Sequence, residues 1–394
     1  MKVCFWGKIA EALTGKTGGG GELQIALMAR TLAALGHEVV IVDLGITDEF
    51  ITEEGIRVFP VAGYNKGIKM FRTLTHRLPG LYSTFVDMNA DIYYCRIREY
   101  RHIMVYMAAR KVKAKFILGL ASDLDILSIG NRWRHFYSSN VSDLWGVFNG
   151  LAGEIVYPFL LRKADRVIVQ HSGQKEILKK KNIESVVFPN VIDTSAFQPV
   201  SDPERKDFLY VGSLDKRKGF ADFFKIVQLS PAHTFKVIGS PRDKTGDHFY
   251  EQLRSCNNVT LTGRLSHEET IRQISGAKAL ISTSPMEGFP NIFIEAWACG
   301  VPVLSLHVDP GGIIKKEGLG EIADGNINTL LSAMDSFKAT NGFADMAQRY
   351  IERTHDLNND RVNEMEKLFS DIYTSRNILT QENDLTYPPD RTHQ

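Results

Sequence analysis

This sequence predicts an α/β protein of two doubly wound domains that face a cleft, on three observations. Short apolar runs alternate with helical stretches along most of the chain, which is the rhythm of a parallel sheet with helices on its faces. That rhythm opens twice on the same figure, a strand entering a glycine turn and then a helix, once from Lys2 to Leu35 and again from Phe208 through Phe220. Between the two, Pro199, Ser201, Asp202 and Pro203 make a polar, proline-marked linker.

Composition narrows the function classes. The 394 residues suffice for two full cores, and the apolar and charged fractions of 43% and 24% are ordinary for a soluble enzyme. A net charge of +1 hides no large block of one sign, so nucleic acid is not an expected partner. Cys4, Cys95, Cys256 and Cys299 are scattered, with no CxxC pair and no matching His spacing. That excludes a disulfide framework and a zinc site and fits a reducing compartment. Met1 to Trp6 reads as a strand and not as a secretory leader, and no apolar run of about 18 residues is present to span a bilayer. The expected location is cytoplasmic.

In the first domain, Lys2 to Trp6 is a strand, Gly18 to Gly21 a loop, Glu22 to Leu35 a helix stopped by Gly36, and Glu38 to Leu44 the next strand. Gly19, Gly20 and Gly21 thus stand at a strand-to-helix turn, where backbone amides meet a phosphate or a sugar. Two other nucleotide motifs fail here. A Walker loop ending at Gly15, Lys16, Thr17 needs glycine where Ala10 stands, and a dinucleotide GxGxxG from Gly18 needs glycine where Leu23 stands, although Asp43 sits about where a ribose-binding acid would.

Asn65 to Leu78 sets Lys66, Lys69, Arg72, His76 and Arg77 among Ile68, Met70, Phe71, Leu74 and Leu78. Read as a helix, it either lies on an anionic membrane and guides a lipid-pyrophosphate acceptor or is an ordinary solvated helix packed on its sheet. Strands follow at Asp91 to Cys95 and Lys115 to Leu120, with the basic helix Arg101 to Lys111 between them. Asp123, Leu124, Asp125 is then an isolated DxD, weak evidence for a metal, and its acids equally cap a helix. The aromatic stretch Asn131 to Phe159 reads as a hydrophobic satellite cluster, with a mobile lid as the other reading. Arg166 to Gln170 is a strand, Ser172 to Lys181 a helix, and Val186 to Pro189 the last strand before the crossing.

The second domain opens with the strand Phe208 to Val211 and the turn Gly212, Ser213, Leu214, Asp215, Lys216, Arg217, Lys218, Gly219, whose three cations suit a pyrophosphate. Thr234 to Ile238 and Val259 to Thr262 are strands, and Arg264 ends the second of them on the ligand side of the sheet. Next come a strand, Lys278 to Thr283, a tight turn, Pro285 to Phe289, a helix, Asn291 to Cys299, closed by Gly300, and a strand, Val301 to Leu304. Glu287 lies in that turn. Glu295, eight positions on, shares a helical face with Asn291. Gly288 lets the backbone approach a ligand, and the free amides of the helix start favour oxygen-rich groups, a turn that suits a polyhydroxylated ligand. Helices around Ile327 to Ser336, Gly342 to Glu352 and Asp360 to Tyr373 complete the domain.

The run EGFPNIFIEAWACGVPV, Glu287 to Val303, closely resembles the donor-site segment of the retaining glycosyltransferases of family 4. The resemblance extends to the glycine loop, to ADRVIVQHSGQKEILKK and FPNVIDTSAFQP around the interdomain crossing, and to the lysine turn. It implies the GT-B fold, two Rossmann-like domains, here 1–195 on the acceptor side and 196–365 for the donor. It also implies a C-terminal helix over 366–380 returning to the first domain, and the polar stretch 381–394 reads as a disordered tail.

In such enzymes the first Glu of the pair contacts the donor sugar and the second the nucleotide ribose, which by resemblance assigns these roles to Glu287 and Glu295. Gly288, Phe289, Pro290, Asn291 and Ile292 complete the donor turn. Lys218 keeps the family's lysine, whereas Ser213 stands where the family has Arg, with Arg217 as a nearby substitute; Arg264 is placed near the base or phosphates. Where many members carry a His near the reacting carbon, Asp123 or Asp125 stands here. Glu287, Lys218 and Asp123 are therefore the expected catalytic residues, with no metal and no cofactor beyond the nucleotide-sugar substrate. The expected acceptor is a polysaccharide or lipid-linked glycan at the membrane face. Two alternatives remain, a non-catalytic nucleotide-sugar-binding scaffold, motivated by Ser213 and the absent His, and a GT-B nucleotide-sugar epimerase.

Overall fold

The computed structural model describes residues 1–14, 19–68, 71–127, 144–197, 205–336 and 342–384. Two parallel sheets organise the chain. The first runs in the order β3-β4-β2-β1-β5-β6-β7-β8, built from β1 Lys2–Trp6, β2 Glu38–Asp43, β3 Phe50–Ile51, β4 Arg57–Pro60, β5 Ile92–Arg96, β6 Lys115–Gly119, β7 Arg166–Val169 and β8 Ser185–Val187. Among the described residues only the short edge strand β3 is antiparallel to its neighbour. The second sheet runs β11-β10-β9-β12-β13-β14, from β9 Phe208–Val211, β10 Phe235–Ile238, β11 Val259–Gly263, β12 Ala279–Ser282, β13 Val303–Ser305 and β14 Gly320–Ile322.

Both sheets are buried on two faces by helices, which is why their strands read as unbroken apolar runs such as KVCFW and ALIS. In each sheet the first strand of the domain sits where the order reverses, β1 between β2 and β5, and β9 between β10 and β12. Loops leaving the carboxyl ends of strands at such a reversal splay apart and leave a crevice. The glycine loop follows β1 and the lysine turn follows β9, so the topology alone aims both at the interdomain cleft.

The last helix, Asn359–Asp384, returns to the first domain. Met365, Phe369 and Ile372 are buried in its core, and the Phe369 ring lies 6.5 Å from Phe5 and 6.4 Å from Tyr94. It starts before 366 and continues to Asp384, past the end expected at 380, because no proline or glycine interrupts it there. Residues 385–394 lie outside the described residues, as do the linker residues Pro199, Ser201, Asp202 and Pro203, Gly18, Lys69, Met70, and Trp133, Phe136 and Tyr137 of the aromatic stretch.

One expected element is corrected and several others were not foreseen. Asn65 to Leu78 is not one helix. Residues 62–65 form a turn, a wide helical turn spans Thr73–Arg77, and a regular helix begins only at Leu78. Its apolar Ile68, Phe71 and Leu74 are exposed, not packed on the sheet. The amphipathic helix Lys244–Leu253, whose glycine in the first turn hides it from a composition reading, was not expected at all. The short strands β3, β4 and β14 were likewise missed. Among the described residues no helix is long and apolar enough to cross a membrane.

Candidate active site

The site is assembled at the carboxyl ends of β9 and β12. Helix Asn291–Ala298 buries Phe293, Ile294, Ala296 and Trp297, and the Trp297 indole N–H donates to Leu319 O at 2.9 Å, fixing the helix on its sheet. The turn before that helix carries Glu287, and the turn after β9 carries Lys218. Glu287 Oε1 accepts from Lys218 Nζ at 2.5 Å.

Local capping sets the lysine in place. Asp215 Oδ1 accepts from Lys218 N at 3.0 Å, while its Oδ2 accepts from Ser213 Oγ at 2.9 Å and Arg217 Nη2 at 3.0 Å. Burial works against ionisation of Asp215, yet the Ser213 hydroxyl and the Arg217 guanidinium together hold its carboxyl below the ordinary range. Gly219 closes the turn at φ 65°, and a Cβ there would lie 2.0 Å from Thr283 O, so only glycine allows the two turns to meet. Thr283 Oγ1 in turn donates to Lys218 O at 3.0 Å.

Lys218, Glu287, Pro290 and Ile292 line a cavity of about 30 Å³, room for roughly one water. Glu295 lies along the same helix, buried, with Oε1 at 3.2 Å from His267 Nε2. That hydrogen bond raises the His267 pKa above the ordinary imidazole value, burial opposing it.

From the first domain, the glycine loop reaches this turn through Gly20, whose carbonyl accepts from Asn291 Nδ2 at 3.1 Å. Gly19 caps the following helix and Gly21 packs beside Ile97. Asp123 also arrives, its N–H donating to Glu287 O at 3.2 Å. Its carboxylate Oδ1 accepts from Gln174 Nε2 at 2.8 Å and lies 3.2 Å from His171 Nε2. Asp125 separates from it: Oδ2 accepts from the amides of Ala121 and Ser122 at 2.8 and 3.0 Å, a capping role inside a short helical turn, and burial pushes this carboxyl up.

Of the two acids left open by the sequence, Asp123 therefore faces the cleft and Asp125 does not. Lys218, Glu287, Gly288, Phe289, Pro290, Asn291, Ile292, Gly20 and Asp123 are brought together. Ser213 and Arg217 are engaged by Asp215, and Arg264 is exposed at the end of the edge strand β11, three strands from the β12 end. Asp43, the would-be ribose acid, instead accepts from the amides of Ile9 and Ala10 at 2.5 and 2.7 Å, fixing the first loop. The sequence reading assigned no role to Gln170, His171, Gln174, Asn190 or His267. The first two stand directly after β7, and the strand-end rule alone points to them. Among the described residues no group of three His, Cys, Asp or Glu is placed to hold a metal.

Comparison with known proteins bears on this geometry. Residues 19–190 match the glycosyl transferase 4-like domain, and residues 191–355 match the glycosyl transferases group 1 family. One chain of the human phosphatidylinositol N-acetylglucosaminyltransferase is 24% identical over 344 residues, 80% of this chain and 65% of that one. The chain spans from 37% to 65% of the length of the curated relatives it matches. Sucrose-phosphate synthase from Thermosynechococcus elongatus superposes with a TM-score of 0.75 at 17% identity, covering 95% of this chain and 100% of that one. Anabaena HepE in complex with UDP and glucose superposes with a TM-score of 0.63 at 15% identity, again over 95% and 100%. The two abutting family matches place the chain in the group 1 glycosyl transferases with a 4-like domain in front, and the shared architecture shows the GT-B fold.

Proposed function

We propose that this glycosyltransferase is a retaining enzyme that moves a sugar from a nucleotide-sugar to a hydroxyl of a polysaccharide or lipid-linked glycan acceptor. The observation that carries the reading is the Lys218–Glu287 pair at 2.5 Å, at the carboxyl ends of β9 and β12 and facing Gly20 and Asp123 across the cleft. A diphosphate competes for the lysine and sugar hydroxyls compete for the glutamate, so a nucleotide-sugar satisfies both when it separates them. Glu295, four residues beyond Asn291, then takes the ribose hydroxyls. A neighbouring GT-B structure that holds UDP and glucose supports this donor class.

In this reading the bond from the sugar C1 to the diphosphate oxygen breaks while the acceptor oxygen bonds C1 from the same face, and the departing diphosphate oxygen takes the acceptor proton. Negative charge grows on the phosphate, where Lys218 and the amides of Gly20 and Gly21 are preorganised donors. Glu287 holds the sugar, and Asp123, fixed by Gln174 and His171, stands on the acceptor side. The cavity is far smaller than a nucleotide-sugar, so the domains part for loading and close to exclude water.

A lipid-borne acceptor is supported by the name of the human relative and by the surface of the first domain. Ile68, Phe71 and Leu74 are 73%, 55% and 72% exposed beside Lys66, Arg72 and Arg77, the mixture that lies on an anionic membrane. A cavity of about 210 Å³ lined by Leu44, Pro60, Val61, Tyr64 and Lys66 opens next to them, at the ends of β2 and β4.

Thermal-shift titration with UDP-, GDP-, ADP- and dTDP-sugars tests the donor site. One series at about 100 times its dissociation constant should add roughly 2.7 kcal/mol of stability to the wild type and much less to Glu295→Ala. No response from any series leaves the scaffold reading ahead. Incubation with the stabilising donor and no acceptor, followed by NMR of the sugar, separates an epimerase from a transferase.

A further inference from the structure

The turn that carries Glu287 is held mainly from the other domain. Phe289 N donates to Gln170 Oε1 at 3.1 Å, and Phe289 O accepts from Asn190 Nδ2 at 2.8 Å, both bonds buried. Two residues earlier, Glu287 O accepts from Asp123 N at 3.2 Å. Gln170 follows β7, and Asn190 lies just beyond β8, so the backbone polar groups of this turn are met by the first sheet and its exit segment.

We propose that Gln170 and Asn190 are positioning residues that clamp the N–H and C=O of Phe289 and thereby hold Glu287 in its working place only while the two domains are closed. The inference rests on the reading that Glu287 contacts the donor sugar. Its physical basis is the cost of a buried, unpartnered backbone group: once the domains part, the Phe289 N–H and C=O lose both partners, and the turn rearranges to find others.

The clamp is itself braced. Gln170 Nε2 donates to Asn190 Oδ1 at 3.0 Å, Arg96 Nη2 donates to the same oxygen at 2.6 Å, and Gln170 N donates to Gln174 Oε1 at 2.8 Å. Asn190 O accepts from His355 Nδ1 at 2.7 Å, and Asn190 Nδ2 also reaches Asn291 Oδ1 at 2.8 Å. Gln170 and Asn190 are 3% and 4% exposed, which fixes both amides in one rotamer. Gly288 records how closely they press, since a Cβ there would lie 1.9 Å from Gln170 Oε1. Glycine at this position admits the clamp as well as the ligand.

Hydrogen exchange on the full chain without ligand reads the clamp directly. In Gln170→Ala the Phe289 amide should exchange on the order of tenfold faster, while the amides of β1 keep their wild-type rates. Gln170→Glu retains an oxygen for Phe289 N–H but sets a second acceptor against Asn190 Oδ1 in place of the Nε2 donor, so its Phe289 exchange should fall between those of Gln170→Ala and wild type. Asn190→Ala, which removes the partner of Phe289 O together with the brace to Gln170 and Arg96, should loosen the same turn at least as much. With UDP and UDP-glucose as probes, Gln170→Ala should keep its affinity for UDP within about twofold and lose most of the added affinity that the glucose provides.

An unchanged Phe289 rate in Gln170→Ala overturns the proposal, and so does acceleration shared equally with β1, which would make Gln170 merely a stability residue. Loss of UDP and UDP-glucose affinity in equal measure also overturns it. Local exchange as expected in a chain whose wild type binds no nucleotide-sugar sustains the clamp and removes the donor-site reading instead.

Discussion

Replacing Lys218 by Met keeps the length and apolar stem of the side chain and removes its charge. In the folded chain Lys218 is 36% exposed and its partner Glu287 21%, so water screens the pair and its loss should cost under about 1 kcal/mol of stability. For 394 residues that is a melting shift of only about 1 °C. The consequence for a bound diphosphate is larger, because a hydrogen bond to a charged group contributes roughly 1.5–3 kcal/mol, or about 10- to 150-fold in affinity. Titration calorimetry with UDP and with uridine separates the two effects. Lys218→Met should weaken UDP by that factor and leave uridine unchanged, since uridine carries no phosphate. Equal weakening of both, or UDP binding untouched, would refute the placement of the diphosphate at the lysine turn.

Further outcomes follow from the same geometry. Gly288→Ala forces its Cβ against Gln170 Oε1, 1.9 Å away, and Ala121 O, 3.0 Å away; a loss of about 1–3 kcal/mol in denaturant unfolding is expected, together with weakened donor binding. Phe369→Ala removes the ring that ties the last helix to Phe5 and Tyr94 and should cost about 3–5 kcal/mol. Its sign that the C-terminal helix stabilises the first domain would be faster exchange in β1 and β5. Burial lowers the His355 pKa to about 4 from 6.5, so the unfolded chain binds the extra proton first. That contribution is complete above pH 6.5 and is lost as pH falls toward 4, on the order of 3 kcal/mol in all, and His355→Gln should flatten this limb of the stability–pH curve.

How much of this was legible in the sequence depends on how local each feature is. The turn from Pro285 to Phe289 and the helix closed by Gly300 were visible because strand, glycine turn and helix follow one another within a few residues. The lysine turn was visible for the same reason. What the sequence did not reveal is which distant residues meet these turns. Asp123 finds His171 and Gln174 only because β6 and β7 are neighbours in the sheet, and Phe289 finds Gln170 only because the domains close. Neither pairing leaves a period or a spacing in the chain.

The helix expected over Asn65 to Leu78 failed for a different reason. Gly67 at φ 83° breaks it, and Ile68, Phe71 and Leu74 point outward. Arg217, expected to substitute for an arginine at Ser213, donates to Asp215, an acid only two positions away whose capping role a charge count ignores. At Gly67 a local backbone demand outweighed the residue pattern.

If the sugar of a nucleotide-sugar sits against Glu287, its share of the binding energy depends on that carboxylate. Calorimetric affinities of UDP and UDP-glucose, or of the nucleotide series that stabilises the wild type, are compared between wild type and Glu287→Ala. The prediction is that the nucleoside diphosphate binds the two proteins alike within a few-fold, while the extra affinity contributed by the sugar disappears in the variant. A sugar contribution that survives intact in Glu287→Ala would place the sugar away from this carboxylate.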